Sequence, residues 1–420
     1  MMTVTKEDSW RLPVKSWCAE LEDAARQQAA NLASHPAAFH HVALMPDAHS
    51  GYGMPIGGVL ALKNAVCPNA VGVDIGCGMV ALRTNVPAEA LADMSVRRRF
   101  QEAVKARIPV GEGRAHKAEQ KWDGFERFID EEGWAPEDIG GGWPLEIDRK
   151  NLGTLGGGNH FIELQQDCDS AEHLVWLMIH SGSRNLGHRI ATYYHNRAVD
   201  MCERLHSQLP DKDLAFLPVD PGKDECSPVC SPGNAYIRHM AFALEYARES
   251  RRRMMDAAFE CLCDTCSQLG VSCEEQFRHD IHHNYAAIEN HFGENVWIHR
   301  KGATSARAGE TGIIPGSMGT ASYIVEGLGN PESFCSCSHG SGRRMSRSAA
   351  CQLLTVEQCN EDMKGIVCER WGKMRRGKSA GMYDLSEAPR AYKDIEAVIT
   401  AESDLVKPTV RLTPLACLKG

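Results

Sequence analysis

One Asp-x-x-Cys pair and four histidines, each in a loop rich in glycine or serine, carry the residue types that could do chemistry in this chain. Asp74 and Cys77 lie in VGVDIGCGM, and the histidines that follow are His160, His180, His283 and His339. Carboxylate, thiolate and imidazole groups bind borderline divalent cations, and glycine lets the backbone come close to a bound phosphate. Metal ligands beside phosphate-binding loops indicate phosphoryl or nucleotidyl transfer.

Each of these motifs has an ordinary structural explanation when it is taken alone. Asp74 could cap a turn, Cys77 could be an inert buried thiol, and a single histidine in a Gly-rich loop is more often structural. Three glycines surround the Asp-Cys pair, which is more than a simple turn requires. His282 and His283 are adjacent, so both cannot face one ion from a helix. We therefore expect one of those two to be a ligand.

The cysteines leave structural zinc as a second possibility. Cys335 and Cys337 precede His339, but a C-x-C-x-H spacing is tighter than that of ordinary structural zinc sites. Further candidate zinc ligands are Cys226 with Cys230, and Cys261 with Cys263 and Cys266. The chain has 17 cysteines, an odd number. In the cytosol most of them are expected to be reduced, buried or metal-bound rather than paired.

Helical patterns indicate some of the elements that position these residues. Amphipathic spacing predicts helices over residues 16–34 and 88–108. Ser231 followed by Pro232 is typical of an N-cap and first helical residue, and the pattern after it continues to about residue 263. These segments indicate a helical insertion near residues 190–280.

Short apolar runs and Gly/Pro-rich stretches predict strands and loops between those helices. Buried strands are expected at His41–Met45, Val71–Asp74 and Leu174–Ile179, and the last of these leads directly to His180. PDAHSGYGMPIGG, after the first strand, and residues 215–232 are predicted to be loops. Because candidate ligands extend from position 74 to 339 without a repeat or linker, the sequence predicts one composite α+β domain over residues 1–420.

Composition excludes several classes of protein. Apolar residues make up 43% of the 420 positions and charged residues 24%, which is ordinary for a globular chain with a large core. No stretch approaches the roughly 20 apolar residues of a membrane helix, and no signal peptide is evident. We therefore expect a cytoplasmic protein. The net charge of −9 argues against non-specific coating of nucleic acid, but it leaves room for a local basic groove.

Nine sequence blocks, taken together, resemble a known family. They are VGVDIGCGM, GNHFIE, HSGSR, HHNY, RKGATSARAG, IIPGSMG, ESFCSCSHGSGR, AYKDI and the terminal LKG. In this order they resemble the RtcB family of 3′-phosphate RNA ligases, from about residue 40 to Gly420. The resemblance implies that family's α+β fold, with mixed β-sheets around a central metal and nucleotide cleft.

The resemblance also implies a chemistry, which is GTP- and manganese-dependent joining of RNA ends. A histidine attacks the α-phosphate of GTP, and GMP then moves onto an RNA 3′-phosphate, which a 2′,3′-cyclic phosphate end can supply. A 5′-hydroxyl end displaces GMP from this RNA(3′)pp(5′)G intermediate. Two cations can neutralise the reacting oxygens. The implied roles are RNA repair or tRNA splicing, and an archease-type activator is a candidate partner.

By this resemblance, His339 is the guanylylated nucleophile and Cys77 bridges two manganese ions. Asp74 and His160 complete one ligand set, and His180 and His283 complete the other. The donor types by themselves favour zinc, so manganese comes from the resemblance alone.

The resemblance also assigns residues to nucleotide and RNA. Glu163 reads the guanine edge, while Tyr392 and Lys419 close on the nucleotide. Arg184, Arg343 and Arg347 contact RNA phosphates. The implied nucleotide-binding residues are Asn159, Phe161, Ile162, Glu163, Asn284, Pro315, Gly316, Ser317, Met318, Ser322, His339, Gly340, Ser341, Gly342, Tyr392 and Lys419.

Several positions depart from the family pattern and keep alternatives open. Tyr52 stands where the family has a lysine near the RNA path, and Ser341, Asn185 and the segment 220–232 also differ. One alternative is a 3′-phosphate guanylyltransferase that caps RNA ends and ligates weakly. Others are a metal-dependent RNA-end phosphoesterase, with zinc as its metal, and a repair factor that binds metal and RNA ends without chemistry. Retention of His339 speaks against the last.

Overall fold

The computed structural model describes residues 2–128, 145–220, 231–369, 371–374 and 380–420, and it confirms the α+β class. The strands are β1 (Thr3–Thr5), β2 (Val14–Ser16), β3 (Ala38–His49), β4 (Ile56–Leu62), β5 (Ala65–Val66), β6 (Gly78–Pro87), β7 (Phe161–Asp167), β8 (Leu174–Ser181), β9 (Leu217–Pro218), β10 (Glu275–His282), β11 (Asn284–His291), β12 (Glu294–Lys301), β13 (Ala303–Ser305), β14 (Thr311–Ile314), β15 (Ser322–Gly327), β16 (Ser336–Ser338) and β17 (Val406–Lys419). The α-helices are α1 (Asp23–Ala33), α2 (Pro68–Val71), α3 (Met94–Arg107), α4 (Asp123–Glu126), α5 (Leu145–Asn151), α6 (Arg184–Arg204), α7 (Pro232–Gln268), α8 (Arg347–Leu353), α9 (Val356–Asp362) and α10 (Ile395–Ala401).

Two large sheets frame the molecule. One has six strands in the order β1-β2-β3-β4-β12-β11, and the other has seven in the order β10-β6-β8-β7-β17-β15-β14. The pairing of β2 with β3 is parallel, whereas β3–β4 and the pairs of the seven-stranded sheet are antiparallel. Only His283 separates β10 from β11, so the chain passes from one sheet to the other at that residue. The sheets therefore approach each other at a predicted ligand.

The long helix α7 packs on the seven-stranded sheet and also contacts the turn that holds the predicted ligands Asp74 and Cys77. Apolar side chains of α7, among them Met254 and Leu262, share a core with Val80 and Ile179 of the sheet. Arg251 of α7 is fully buried, donates to the carbonyl oxygens of Gly76 and Ser181, and pairs with Asp280. A fully buried guanidinium with this many acceptors fixes the backbone on both sides of the site.

The predicted long helix is confirmed, and it is longer than expected. The Ser231 hydroxyl accepts a hydrogen bond from Asn234 N, and α7 continues to Gln268. The helical part of the predicted insertion ends there, because β10 then joins the seven-stranded sheet. Cys226 and Cys230 of the predicted loop lie outside the described residues. Among the helices that are described, none has the length and apolarity to cross a membrane.

Three predictions from local patterns were wrong. The run Val71–Asp74 is not a strand: Val71 ends α2, and the next strand, β6, begins at Gly78. A short apolar run indicates burial but does not distinguish strand from helix. Residues 16–22 are not helical, because α1 begins only at Asp23. Trp17 in this segment is buried instead, and its indole N–H donates to Asp404. The expected loop after Met45 is shorter than predicted, because β3 continues to His49 and β4 begins at Ile56, which leaves residues 50–55 between the strands.

Candidate metal and nucleotide site

The five predicted metal ligands lie together in one cluster. The Cys77 Sγ atom is 3.2 Å from Nε2 of His180 and 3.5 Å from Nε2 of His160. His160 Nε2 is 3.2 Å from a carboxylate oxygen of Asp74, and His180 Nε2 is 3.3 Å from His283 Nε2. The donors form two groups of three that share the thiol of Cys77. This grouping has the same members as the two ligand sets that the resemblance implies.

Different elements bring these donors together. Asp74 and Cys77 occupy the turn between α2 and β6, in which Cys77 N donates to the carbonyl of Asp74. His160 immediately precedes β7, His180 lies near the end of β8, and His283 lies between β10 and β11. Strands β6, β7 and β8 are neighbours in one sheet. Ligands that are far apart in the sequence lie at the ends of these strands and therefore contact one another.

Backbone carbonyls orient two of the imidazoles. His160 Nδ1 donates to Leu155 O at 3.0 Å, and His180 Nδ1 donates to Asn159 O at 3.3 Å. Each bond fixes the tautomer that leaves Nε2 free to face the cluster. Burial lowers the pKa of His180 and of His283 well below the usual histidine value, so both rings are neutral and carry a lone pair.

The acidic members of the cluster have pKa values shifted in opposite directions. Burial, and after it the charge of Asp74, raises the pKa of the Cys77 thiol well above its usual range. Burial would also raise the pKa of Asp74, but the hydrogen bond and charge of His160 together with Arg184 lower it. Gly182 allows this packing, because a Cβ there would lie 2.2 Å from Oδ1 of Asp74.

These donors fit a divalent cation. Neutral imidazole nitrogens of His180 and His283 face each other at 3.3 Å beside a thiol, an arrangement that a shared positive charge stabilises. The set combines one carboxylate, one thiol and imidazoles, which several first-row metals accept. The donors therefore support a metal site without selecting manganese over zinc.

His339 lies beside this cluster and is held by a residue that the sequence reasoning missed. Its ring centroid is 4.9 Å from that of His283, and its Nδ1 donates to Oδ2 of Asp47 at 2.6 Å. Asp47 is fully buried in β3 and also accepts a hydrogen bond from His339 N. This pairing keeps the proton on Nδ1 and leaves the Nε2 lone pair available for attack. In sequence Asp47 falls in the PDAHSGYGMPIGG segment, which is predicted to be a loop, and this prediction hid its place in a buried strand.

A cavity of about 130 Å³ adjoins His339 and contains most of the predicted nucleotide-binding residues. Lys419 extends into it from the end of β17, where its ammonium lies over the Phe161 ring and donates to Asn159 O. Arg343 and Arg347, predicted for RNA phosphates, line the same cavity. The predicted nucleotide-binding residues that line it are Asn159, Phe161, Pro315, Gly316, Ser317, Met318, His339, Gly340, Ser341, Gly342, Tyr392 and Lys419.

Four predicted nucleotide-binding residues do not line that cavity. Ile162 is part of the hydrophobic core beneath β7, so its side chain faces away. Ser322 accepts a hydrogen bond from Gly316 N and another from Gln165, which makes it a support of the PGSM turn. Asn284 lines the adjoining cavity and donates to the carbonyl of Asp74. Glu163 is buried behind the cavity, and burial raises its pKa to about 7.

Glu387 is a second residue that the sequence reasoning missed. Its carboxylate lies 3.2 Å from Arg343 Nη1, 3.1 Å from Arg347 Nε and 3.4 Å from Lys419 Nζ, and it accepts a hydrogen bond from the Tyr392 hydroxyl. Burial alone would raise its pKa, but the charges of Lys419, Arg347 and Arg343 lower it. One buried carboxylate therefore contacts the three cationic groups that are predicted to bind phosphates.

The third predicted RNA contact, Arg184, lies on the metal side of the site. It opens α6 with a positive φ of 59°, and its Nη1 is 3.4 Å from Nδ1 of His160. Gly156 leaves the space that the guanidinium occupies, since a Cβ there would lie 1.8 Å from Nη1. Arg184 is therefore packed against a predicted metal ligand rather than beside Arg343 and Arg347.

Structural zinc receives no geometric support from the other cysteines that the structure describes, which leave out Cys226 and Cys230. Over the described residues, the groups of three or more donors close enough to hold an ion are the two that share Cys77. Neither Cys335 and Cys337 nor the cysteines of α7 form such a group. Cys337 is buried in β16, which pairs with β13, so the CSCSH segment is a strand leading to His339 rather than a zinc knuckle.

Comparison with known proteins shows the family of this chain. The chain is similar to the RNA-splicing ligase RtcB of Escherichia coli K12, with 40% identity covering 97% of each chain. It is 33% identical to the RNA-splicing ligase RtcB of Mycobacterium bovis, over 94% of this chain and all of that one. It is 32% identical to the tRNA-splicing ligase RtcB of Pyrobaculum aerophilum, over 95% and 91% of the two chains. The family model described as tRNA-splicing ligase RtcB matches residues 28–420. The resemblance seen in the motifs is therefore confirmed, and the chain belongs to the RtcB family.

Proposed function

We propose that this chain is a cytoplasmic, GTP- and Mn²⁺-dependent RNA ligase, formed as a single domain over residues 1–420. It would join RNA 3′-phosphate or 2′,3′-cyclic phosphate ends to 5′-hydroxyl ends, in RNA repair or tRNA splicing. The RtcB family supports the ligase class. The observation that carries the mechanism is the position of His339, which Asp47 holds between the cavity lined by most of the predicted nucleotide-binding residues and a cluster of metal-type donors.

In the first step the Nε2 lone pair of His339 attacks the α-phosphorus of GTP. The N–P bond forms as the bond from the α-phosphorus to the bridging oxygen breaks, and pyrophosphate leaves. Asp47 continues to accept the hydrogen bond from His339 Nδ1–H throughout this step. The positive charge that develops on the imidazole therefore lies next to a buried carboxylate. Lys419 and Arg343 line the cavity in which the phosphates would lie.

In the following steps a 3′-phosphate oxygen of RNA attacks the same phosphorus, and the N–P bond to His339 breaks. The 5′-hydroxyl of a second RNA then attacks the 3′-phosphate, loses its proton and displaces GMP. Asp74, Cys77, His160, His180 and His283 would hold two Mn²⁺ ions. Bound ions would supply charge neutralisation at the reacting phosphate oxygens. Arg184, Arg343 and Arg347 would position RNA phosphates, and an archease-type activator is a candidate partner.

If guanine reaches Glu163, as the resemblance implies, its recognition would depend on pH, although this carboxyl is buried beside Gln165 and does not line the cavity. A carboxylate must be ionised to accept the N1–H and N2–H groups of guanine, and burial raises the pKa of Glu163 to about 7. Protons therefore compete with GTP as the pH falls. With that pKa, we expect GTP affinity to fall roughly eightfold between pH 7.5 and 6.0. Isothermal calorimetry would measure it, and Glu163→Gln should bind more weakly and lose the part of the pH dependence that does not come from GTP itself.

The experiment that tests the proposal is incubation with α-labelled GTP and Mn²⁺, followed by a denaturing gel. We expect the wild type to retain label in an acid-labile bond, as a phosphoramidate does, and His339→Ala to retain none. No label on folded, metal-loaded wild type would contradict guanylylation. Phosphate release from RNA ends without GTP, with little loss in His339→Ala, would favour the phosphoesterase.

A capping guanylyltransferase is the second candidate, and Tyr52 favours it. Tyr52 is exposed where the family pattern has a lysine, so electrostatic attraction to RNA is weaker at that point. Under this alternative, labelled wild type would transfer GMP to a 3′-phosphate RNA, and capped RNA would accumulate. Conversion of capped RNA to joined product at a rate similar to its formation would decide for the ligase.

A further inference from the structure

A second cavity, of about 360 Å³, lies on the metal side of His339. His339 and Asn159 line both this cavity and the nucleotide cavity. Asp74, Cys77 and His283 line the second cavity only. A molecule that enters it therefore reaches the nucleophile from the side that the nucleotide does not occupy.

Two exposed apolar side chains, Tyr52 and Val73, line this second cavity. Tyr52 is 74% exposed, and no large apolar side chain in the described part of the chain is more exposed. A single exposed apolar residue is ordinary on a protein surface, and what distinguishes Tyr52 is that it lines a cavity that reaches His339. A planar ring beside a cavity that leads to a phosphate-transfer centre suits a nucleobase.

The backbone that carries the Tyr52 ring is fixed although the ring itself is exposed. Its carbonyl oxygen accepts hydrogen bonds from Lys301 Nζ at 2.5 Å and from Met54 N at 2.6 Å. Lys301 is buried and donates also to Asn69 O. Lys301 also lines the second cavity, and two of the hydrogen bonds that its ammonium can donate are taken by backbone oxygens of the loop. The ring therefore projects from a backbone position that is held in place, and an uncharged ring at that position can contribute by stacking.

We propose that Tyr52, with Val73 beside it, stacks on a nucleobase at the 3′-phosphate end of single-stranded RNA. This inference rests on the proposed function, and it assigns the second cavity to the RNA that receives GMP. Its terminal phosphate must reach the phosphorus carried by His339, which lines the inner part of the cavity, while the base of that nucleotide remains outside against Tyr52. Recognition by stacking is tolerant of base identity and requires an unpaired end.

The test is equilibrium binding of short RNAs that carry 2-aminopurine, whose fluorescence is quenched by stacking. Without GTP, wild type should quench a 3′-terminal 2-aminopurine next to a 3′-phosphate, and a probe several nucleotides inward much less. Tyr52→Phe should keep the quenching. Tyr52→Ala should lose it and bind between about fivefold and a hundredfold more weakly. Phe292→Ala, an exposed aromatic at the β11–β12 turn, is the matched control and should behave as wild type.

A charged replacement separates stacking from simple attraction. Tyr52→Lys should lose the quenching while its binding becomes more dependent on salt than that of wild type. Melting temperatures would show that each variant is folded. Equal quenching and affinity in Tyr52→Ala and wild type would overturn the proposal. Quenching of only a 5′-terminal probe on a 5′-hydroxyl RNA would overturn its assignment to the 3′-phosphate end.

Failure here can be distinguished from failure of the proposed function. Guanylylation of wild type by labelled GTP requires no RNA. If the wild type is not guanylylated, the proposed ligase function is contradicted. A wild type that guanylylates normally but whose quenching does not depend on Tyr52 would contradict the stacking site alone.

Discussion

Replacing Asp47 with asparagine is expected to slow guanylylation of His339 by about 10²- to 10⁴-fold. The fully buried Asp47 carboxylate accepts the Nδ1–H of His339 at 2.6 Å. An asparagine amide is neutral and can donate to Nδ1, which would move the imidazole proton to Nε2 and remove the attacking lone pair. The loss corresponds to about 3 to 5.5 kcal/mol of activation free energy. Single-turnover incorporation of labelled GTP would measure it.

The surroundings of Asp47 explain why its charge should matter. Glu402 lies close behind it, and burial raises the pKa of Glu402 to about 8, so that this carboxyl is mostly neutral at pH 7. Glu402 accepts a hydrogen bond from Ser338 N, next to His339 in sequence. Asp47 is therefore the carboxyl that contacts the ring of the nucleophile, while Glu402 contacts the backbone that precedes it. Protonation of one member relieves the repulsion that two buried carboxylates would otherwise exert.

Asp148→Asn is the matched control for this prediction. Like Asp47, Asp148 is fully buried and has a basic partner, which for Asp148 is Arg189. It belongs to α5, however, and it lines neither the nucleotide cavity nor the second cavity. We expect it to lower the melting temperature without changing the guanylylation rate of the folded protein by more than about twofold. An Asp47→Asn protein that guanylylates at the wild-type rate would contradict the orienting role of Asp47.

Replacing Cys77 with alanine is expected to remove more metal than any other single substitution in the cluster. Its thiol is the donor that both groups of three share. Losing it leaves Asp74 with His160, and His180 with His283, as separate pairs. We expect bound Mn²⁺ to fall from about two equivalents to below one, and guanylylation to fall at least about 10²-fold. Elemental analysis after dialysis measures metal content independently of activity.

Cys202→Ala provides the comparison for that substitution. Cys202 is equally buried, but it lies in α6 among apolar side chains. Both variants lose one buried sulfur, so a similar fall in melting temperature is expected, while only Cys77→Ala should lose metal. Retention of two equivalents by Cys77→Ala would show that the thiol is not a shared ligand.

The candidate site residues could be proposed from the sequence because short motifs carry their residue types. Asp74 and Cys77 sit in one turn, and His339 follows a strand, so local sequence already joins a reactive side chain to glycine or serine donors. The long helix was predictable for a related reason. Ser231 and Pro232 are capping signals that act within one turn, and the apolar stripe of α7 repeats over its whole length.

Interactions between distant segments decided what local patterns predicted wrongly or missed. Residues 16–22 have helical spacing, yet burial of Trp17 against Asp404 holds them in an extended course. Asp47 resembles a loop residue in sequence, and only the extension of β3 brings it beneath His339. Glu387 belongs to no motif, and its importance comes from Arg343, Arg347 and Lys419 converging on it.

The sequence by itself determined the family, the α+β class and the identity of the candidate nucleophile and metal ligands, because residue types and their short spacings are local properties. Tertiary structure alone decided which residue orients His339 and that a second cavity opens beside Tyr52, and it supplied the distances between the donors around Cys77. The physical reason is that donors separated by up to about two hundred positions meet only when β6, β7, β8 and β10 align in one sheet. Distances between such atoms depend on strand register, which no single motif encodes.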